Sequence, residues 1–246
     1  MRDESIRILY EDDALFVISK PPGIIVNNSE TTHGLETIQD WITKRVDLSK
    51  KYKDLAEDDF VKRNGIVHRL DKETSGIMLI AKTPESFQIL QEQFKDRTVK
   101  KTYKALCHGV LIPKTGEIRL PVGRLPWNRK QFGIVAGGRP SVTLYETDRV
   151  YICRDEKLSL LTLYPQTGRT HQIRVHLKYL NHPIFSDYLY AGRKTARNDR
   201  KLLQRVFLHA YSIEFVHPLT HQQVFFEAEL SSDLKLFLQS LQEASV

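Results

Sequence analysis

A short polar turn that runs directly into an apolar strand is the feature that most constrains how this sequence can fold and function. The turn covers residues 68–76 (HRLDKETSG), and the apolar run 77–81 follows it at once. It places one acidic side chain, Asp71, at the mouth of a strand beside His68 and Arg69. An Asp three residues before a Thr is most often a turn residue that bonds its own backbone. The alternative is a reactive carboxylate held in a positively charged place, as chemistry on a polyanion requires.

Segments typical of strands and of helices are interleaved along the rest of the chain. Strands are indicated at 6–10 and 14–19 as one hairpin, at 102–110, at 141–150 and 158–164 as a second hairpin, and at 224–228. Helices are indicated at 34–46, from Pro84 with Phe87, Leu90 and Phe94 inward, at 170–180, and after a cap at Ser232 with Leu234, Phe237, Leu238 and Leu241 inward. The polar stretch 50–63 is predicted as a loop. This order favours an α+β fold, with helices packed on a mixed, mostly antiparallel sheet.

The charge balance favours an anionic partner. The net charge is +7 and the isoelectric point is about 9.3, and nucleic acid is the commonest reason for such a balance. A basic surface kept for solubility is the alternative. The basic residues are clustered in two runs: Lys95, Arg97, Lys100, Lys101 and Lys104, and then Arg193, Lys194, Arg197, Arg200, Lys201 and Arg205.

Cysteine usage and the N-terminal sequence indicate the compartment. Cys107 and Cys153 are too few for a disulfide framework or a four-cysteine metal site, so a reduced protein is expected. The first residues lack the apolar core of a signal peptide, and no apolar run is long enough to span a bilayer. We therefore expect a cytoplasmic protein without membrane contact.

Several separated blocks share one order and spacing. They are residues 17–23 (VISKPPG), 65–76 (GIVHRLDKETSG), 101–105 (KTYKA), 168–177 (GRTHQIRVHL), 182–184 (HPI), 187–190 (DYLY), 208–210 (LHA) and 215–220 (FVHPLT). Together they resemble the RluA-type family of RNA pseudouridine synthases over nearly the whole chain. The resemblance implies one catalytic domain over residues 1–246, with a long mixed sheet split by a central active-site cleft. The small N-terminal RNA-binding domain of many relatives is expected to be absent.

The resemblance also implies an isomerase that flips a uridine out of its stack, cuts the bond between uracil and ribose, and rejoins the base through carbon 5. In the family the Asp that matches Asp71 is essential, and attack on the ribose and proton abstraction both remain open for it. The reaction needs no cofactor or metal, and we expect neither. The expected partner is a stem-loop of RNA, with ribosomal RNA slightly favoured over transfer RNA, and we expect a monomer.

Two further residues complete the catalytic set that the resemblance implies. Arg174 matches the basic residue that pairs with the catalytic Asp, and a guanidinium offers a carboxylate a fixed fork that keeps its charge. Without the resemblance, an arginine on the surface of an amphipathic helix is the simpler interpretation. Tyr103 matches the tyrosine that lies against the target base, as a stacking platform with a hydroxyl. Its alternative is a strand tyrosine packed in the sheet.

Other residues are predicted to contact RNA or line the pocket. Arg69 is expected to fill the gap left by the flipped base, with phosphate binding as the alternative. The predicted RNA contacts are His68, Arg69, Arg169, Thr170 and His171, and the predicted pocket residues are Leu70, Ile173 and Leu177. His171 and His176 are five residues apart and diverge by about 140° on a helix, so they do not form a zinc pair.

Two positions depart from the family pattern. Asn181 and Ser186 stand where glycine is common. Asn tolerates a positive φ moderately well and Ser less so, so a different local backbone is expected there.

Two functions of other classes compete with the isomerase. The first is a non-catalytic RNA-binding or RNA-folding protein on the same scaffold, which has no need of a carboxylate among phosphates. The second is an RNA hydrolase that uses Asp71 with a metal, and the missing second carboxylate beside Asp71 argues against it.

Overall fold

Strands and helices are interleaved along the chain, as the sequence predicts. The computed structural model describes residues 5–29, 32 and 34–244, apart from the side chains of residues 129 and 130. The strands in the described residues are β1 (Arg7–Glu11), β2 (Leu15–Lys20), β3 (Ser75–Ala81), β4 (Lys100–His108), β5 (Thr115–Arg119), β6 (Val122–Leu125), β7 (Asn128–Ile134), β8 (Val142–Cys153), β9 (Glu156–Pro165), β10 (Leu208–Val216), β11 (Gln223–Glu227) and β12 (Gln242–Glu243). The helices are α1 (Ile38–Arg45), α2 (Leu48–Lys51), α3 (Asp59–Lys62), α4 (Pro84–Asp96), α5 (Gln172–Tyr179), α6 (Arg193–Asp199) and α7 (Ser232–Gln239).

The chain forms two compact units. The first unit comprises Met1–Lys100 and Ser212–Glu229, and the second comprises Lys101–Tyr211 and Leu230–Val246. Strand β10 contributes its residues 208–211 to the second unit and its residues 212–216 to the first. The prediction of one catalytic domain over residues 1–246 stays a prediction.

The first unit is built on buried strands. Strands β1, β2 and β3 are antiparallel neighbours, followed by the first unit's part of β10, which pairs with β11. Every residue of β2 and β3 is buried, and such strands read as continuous apolar runs. The hairpin between β1 and β2 is confirmed. Its turn is fixed by Asp12, whose Oδ1 accepts hydrogen bonds from the backbone N–H groups of Ala14 and Leu15.

The second unit has an antiparallel sheet and a hydrophobic core of its own. Its strand order is β10, β4, β9, β8 and β12, with β5 also paired to β8 and with β6 and β7 as a separate hairpin. The predicted hairpin at 141–150 and 158–164 is confirmed as β8 and β9. The core packs Leu106 and Leu161 of the sheet with Leu177 of α5 and Leu234 of α7, all fully buried. The α+β class with a mostly antiparallel sheet is therefore confirmed, while the central cleft stays a prediction.

Both cysteines are buried free thiols in the second unit. Cys107 lies in β4 and Cys153 ends β8. Burial raises the pKa of both thiols, and the negative charge of Asp187 adds to the effect on the pKa of Cys107. Neither thiol is therefore a thiolate at neutral pH.

The stretch predicted as a loop at 50–63 is wrong in part. It holds the end of α2, a 3₁₀ turn at Lys53–Leu55, and α3. Asp47 and Asp58 start the two helices, because each carboxylate accepts a hydrogen bond from a backbone N–H of the first turn. Phe60 and Val61 are the buried anchors of α3. These two residues are adjacent in the sequence, so they show no helical period within the four residues of α3.

Two predicted helix starts need correction. The helix predicted from residue 34 begins only at Ile38, because Thr37 and Asp40 form a capping box there. The last helix has Ser231 rather than Ser232 at its N-cap position. In the second unit, strands β5, β6, β7 and β12 and helix α6 were not predicted, and neither was β10, to which both units contribute. In the described residues, no helix is long and apolar enough to cross a membrane.

Candidate active site

Asp71 lies on a tight turn at the entrance to β3. The backbone N–H of Thr74 donates to the carbonyl of Asp71 over 3.1 Å, which closes the turn immediately before the strand begins at Ser75. Asp71 itself is half-buried, whereas Leu70 before it is 4% exposed and Arg69 is exposed. The buried leucine fixes the turn against the first unit and leaves the carboxylate partly accessible.

Lys20, a fully buried lysine at the end of β2, anchors this turn through backbone carbonyls. The Nζ of Lys20 donates to the carbonyls of Pro21, Ile24 and Lys72 over 2.8, 2.9 and 3.1 Å. The carbonyl of Lys72 also accepts the backbone N–H of Gly23 over 2.8 Å. Because Lys72 follows Asp71 directly, these bonds hold the catalytic candidate on a rigid base. A buried ammonium group is stable only if its N–H donors find acceptors, and these carbonyls supply them.

His68 is held by two elements of the first unit. Its Nε2 accepts the backbone N–H of Leu79 in β3 over 2.9 Å, and its ring stacks on Phe94 of α4 with 4.7 Å between ring centroids. His68 therefore links β3 to α4, a structural role that was not predicted from the sequence. The predicted roles of His68, Arg69 and Leu70 toward RNA stay predictions.

In the second unit, Arg174 forms a buried ion pair with Asp187. Its Nε donates to Oδ2 over 2.7 Å and its Nη2 to Oδ1 over 2.9 Å, in the fork-to-fork arrangement typical of arginine and carboxylate. Arg174 is 7% exposed and Asp187 is fully buried. The guanidinium carbon lies 5.0 Å from the ring centroid of Tyr190. Arg174 is therefore not a surface arginine, and its predicted pairing with Asp71 stays a prediction.

Asp187 also organises the segment that follows it. Its Oδ1 accepts the backbone N–H groups of Leu189 and Tyr190 over 3.0 and 3.2 Å. The hydroxyl of Tyr190 accepts the backbone N–H of Phe132 over 3.0 Å and lies 2.8 Å from Nδ1 of His171. The hydroxyl and Nδ1 share one hydrogen bond, whose direction follows the tautomer of His171. A continuous polar chain thus fixes Arg174 and His171.

The loop before α5 is locked by Gln172. Its Oε1 accepts the hydroxyl of Thr167 and the backbone N–H of Arg169, while its Nε2 donates to the carbonyl of Val142 and to the hydroxyl of Thr143. His171, at the N-cap position, has a left-handed backbone with φ of 57°. Within this fixed loop Thr170 is exposed and Arg169 half-buried, and the predicted RNA contacts of Arg169, Thr170 and His171 stay predictions.

The other predicted residues of α5 face the interior. Ile173 and Leu177 both belong to the core of the second unit, and their predicted place in a substrate pocket stays a prediction. His176 is fully buried, with Nδ1 3.0 Å from the hydroxyl of Thr143 and Nε2 3.1 Å from the carbonyl of Leu120. Burial lowers the pKa of His176, so the ring is neutral at physiological pH.

Strand β4 carries Tyr103 and a lysine that sequence reasoning did not single out. Tyr103 pairs with Leu163 of β9 and packs against the core of the second unit with part of its surface accessible. Lys101 lies two residues earlier and therefore on the same face of the strand. Burial lowers the pKa of Lys101 to about 8. A lysine with a lowered pKa beside a candidate catalytic tyrosine is typical of a functional site.

Asn181 and Ser186 both adopt a left-handed backbone. Their φ angles are 63° and 62°. Asn181 ends α5 in a Schellman motif, with His182 N–H bonded to the carbonyl of Leu177 and Asn181 N–H to that of Lys178. Ser186 is held by its hydroxyl, which donates to the carbonyl of Leu203 over 2.6 Å. The expectation that the backbone here differs from that of relatives with glycine stays a prediction.

In the described part of the chain, no group of three or more His, Cys, Asp or Glu residues is arranged to hold a metal ion. A half-buried carboxylate on an anchored turn suits acid–base or nucleophilic work.

Comparison with known proteins decides the family. A family model described as RNA pseudouridylate synthase matches residues 14–179, a range that includes Asp71, Tyr103 and Arg174. The chain belongs to the RNA pseudouridylate synthase family. The resemblance to RluA-type pseudouridine synthases is thereby confirmed.

Two curated relatives in this family align over most of the chain. "Ribosomal large subunit pseudouridine synthase D" of Neisseria meningitidis serogroup B is 36% identical over 237 residues, which cover 94% of this chain and 59% of the relative. An "Uncharacterized RNA pseudouridine synthase" of Aquifex aeolicus is 36% identical over 245 residues, covering 98% of this chain and 74% of the relative. The chain thus spans about three fifths of the length of the Neisseria synthase.

A solved member of the synthase family has the same fold. "Human RNA Pseudouridylate Synthase Domain Containing 1" superposes with a TM-score of 0.74 at 24% identity, covering 99% of this chain and 90% of that chain. The α+β fold of the described residues is therefore the fold of pseudouridylate synthase domains.

Sequence reasoning assigned no role to Lys20 or Asp187 and counted Lys101 only among the clustered basic residues. Lys20 lies in a matched block, at the end of an apolar strand and directly before Pro-Pro-Gly. Asp187 was noted within a matched block and given no role, although it is the buried partner of Arg174. Whether a charged residue is buried depends on contacts with distant residues, so no periodic pattern in the neighbouring sequence reveals it.

Proposed function

We propose that this chain is an isomerase that converts uridines in structured RNA to pseudouridine. The observation that carries the proposal is the turn of Asp71 in a member of this family. Its carboxylate is partly accessible, and Lys20 anchors the turn through the backbone carbonyl of Lys72. In this proposal the Asp71 carboxylate attacks the ribose or abstracts a proton from it, and the glycosidic bond breaks. The base then rejoins through carbon 5, which gives up its proton while nitrogen 1 takes one.

Arg174 and Tyr103 take supporting roles in this proposal. Arg174 keeps a positive charge near the reacting carboxylate, and its buried pair with Asp187 supports this role because it fixes the guanidinium in one orientation. Tyr103 offers a ring on which the flipped uracil stacks and a hydroxyl for proton transfer. Its partly accessible position on β4 supports this role.

Ribosomal RNA is the proposed substrate, ahead of transfer RNA. The Neisseria relative is named for the large ribosomal subunit, and it aligns with nearly the whole of this chain. The net charge of +7 suits a polyanionic partner of either kind. A flipped base within a stem-loop is the substrate form that such an enzyme needs, at an unstacking cost of a few kcal/mol.

Base-resolved pseudouridine mapping tests the activity and names the target together. Total RNA is compared from cells with the wild-type chain, with Asp71→Asn, with Glu73→Gln as the matched control, and with the gene deleted. Glu73 is a half-buried carboxylate in the same turn, so its loss of charge controls for disturbance of the turn. We expect one or more sites to vanish in the deletion and in Asp71→Asn, and to persist in Glu73→Gln.

Other outcomes would direct the function elsewhere. If no site changes while ribosome assembly suffers only in the deletion, the protein is a non-catalytic RNA-binding protein. Equal loss in Asp71→Asn and Glu73→Gln would make the turn structural and remove Asp71 from the chemistry.

The exposed Arg69 is proposed to occupy the space of the flipped base. Activity of Arg69→Ala on a duplexed and on a single-stranded target measures this, since only the duplexed target requires the gap to be filled. We expect a larger loss on the duplexed target. An equal loss on both would contradict the gap-filling role.

A further inference from the structure

Helix α6 has one buried side and one basic side. Ala196 and Asp199 are buried, at 0% and 6% exposure. Arg193 and Arg197 lie one turn apart on another side, about 6 Å along the helix axis. With Tyr188, Arg200 and Lys201 they line a shallow depression of about 330 Å³, which we call the α6 surface.

Arg193 and Arg197 contribute two unneutralised charges to the α6 surface. In the part of the chain that the structure describes, neither Arg193 nor Arg197 forms an ion pair with a carboxylate. The carboxylate of Asp199 is directed inward, where its Oδ2 lies 2.9 Å from Nε2 of His108 and accepts the backbone N–H of Ser186 over 3.0 Å. Positive charge therefore dominates this depression.

This arrangement is unfavourable for the helix itself. Arg193 and Arg197 are like charges at i and i+4, which repel each other. The first turn of α6 holds no acidic residue, and Arg193 and Lys194 begin the helix at its positive end. An anion bound between Arg193 and Arg197 would reduce this repulsion.

The depression also presents an aromatic ring in a fixed place. Tyr188 is 62% exposed, and the guanidinium carbon of Arg200 lies 5.6 Å from its ring centroid. Arg200 is held by bonds from its Nε to the carbonyl of Ser186 and from its Nη1 to that of Gln204. An exposed ring beside arginine forks suits a nucleoside next to phosphates, because bases stack on aromatic faces and guanidinium groups fit phosphate oxygens.

We propose that the α6 surface binds the sugar–phosphate backbone of the substrate RNA, away from the uridine that reacts. Arg193 and Arg197 each contact a phosphate, and Tyr188 stacks on a neighbouring base or ribose. This inference rests on the proposed function, which names RNA as the substrate. An acidic protein surface would use the cations and would have no need of the stacking ring.

Salt-dependent binding of large-subunit ribosomal RNA, transcribed in vitro, tests the proposal. The variant Arg193→Ala/Arg197→Ala is compared with wild type and with the control Arg119→Ala/Arg149→Ala. The control removes the same charge from the same unit, but its arginines are exposed and paired with Glu117 and Glu243.

The association constant K falls as the salt concentration rises, so the slope of log K against log salt concentration is negative. We expect this slope to become less negative by about 2 in the α6 variant, about 1 for each lost phosphate contact. In the control the slope is expected to stay close to the wild-type value. Tyr188→Ala is expected to lower the affinity without changing the slope, since it removes stacking and no charge. In turnover assays the α6 variant is expected to raise KM and leave kcat unchanged.

The outcomes separate this inference from the proposed function. If the wild type forms pseudouridine and the α6 variant keeps the wild-type slope, the α6 surface does not bind RNA and an acidic protein becomes its candidate partner. Equal slope changes in both double variants would reduce the effect to net charge and also overturn the proposal. If no pseudouridine forms but only the α6 variant loses slope, the RNA surface stands and the isomerase proposal fails.

Discussion

Replacing Asp187 by Asn removes the negative charge from the buried pair with Arg174 and keeps the shape of the side chain. The guanidinium, 7% exposed, would then remain charged among buried groups without its bidentate partner. Breaking a buried pair by removing one partner costs about 3–5 kcal/mol. The new amide would also direct N–H groups toward the arginine fork or lose its bonds to the backbone N–H groups of Leu189 and Tyr190.

The second unit provides a matched control for Asp187→Asn. Arg205 and Asp233 also pair through two bonds, over 2.7 and 2.8 Å, but the Asp233 side chain is 37% exposed. Solvent reaches that carboxylate, so Asp233→Asn is expected to cost about 1 kcal/mol. The arginine in each pair is almost equally buried, but Arg205 also donates to the carbonyls of Val206 and Leu208 and to the hydroxyl of Ser231, so it keeps partners when Asp233 is neutralised.

Urea unfolding followed by circular dichroism measures the free energy of unfolding for each variant. For a chain of 246 residues, a loss of about 3–5 kcal/mol corresponds to a fall in Tm of about 6–20 °C. Equal losses in Asp187→Asn and Asp233→Asn would refute the reasoning, because burial of the Asp187 carboxylate would then contribute nothing.

Three further predictions concern backbone strain and pH. Gly65→Ala should cost about 3 kcal/mol or more, since the new Cβ would lie 2.0 Å from a backbone oxygen of β3, whereas Gly137→Ala meets no atom within 4 Å and should cost about 1 kcal/mol in unfolding titrations. Asn181→Gly should raise the free energy of unfolding by about 0.5–1 kcal/mol, because glycine adopts the left-handed backbone of the Schellman position without strain; a fall would contradict this. Burial alone would lower the pKa of His108, but its hydrogen bond and charge interaction with Asp199 raise it overall. The stability that His108 contributes should therefore be complete below about pH 6.5 and decline as pH rises through the raised pKa, so the gap between wild type and His108→Gln should narrow from pH 6 to 9 in unfolding measurements.

The sequence predicted those parts of the fold that are determined by residues close together in the chain. The β8–β9 hairpin follows from two apolar runs around a polar turn, and the Asp71 turn follows from turn residues directly before a buried run. The inward face of α5 was visible because Ile173 and Leu177 recur at helical spacing.

The remaining parts depend on contacts between distant residues. Asp187 is thirteen residues from Arg174, and only the folded second unit brings them together. Helix α6 buries little more than Ala196 and Asp199, so it has no apolar stripe to detect. Ser186 keeps a positive φ because its hydroxyl and backbone are bonded on both sides, which its residue type alone does not indicate.

Because both native thiols are buried, they should react little with thiol-specific probes. Cys107 is fully buried, Cys153 is 9% exposed, and the raised pKa of each keeps it protonated. Maleimide and methanethiosulfonate reagents react with thiolates, so they should react slowly with the native chain and rapidly with a cysteine introduced at an exposed position of α6 such as Asn198. A spin label or fluorophore could then report RNA binding at the α6 surface without removal of either native cysteine.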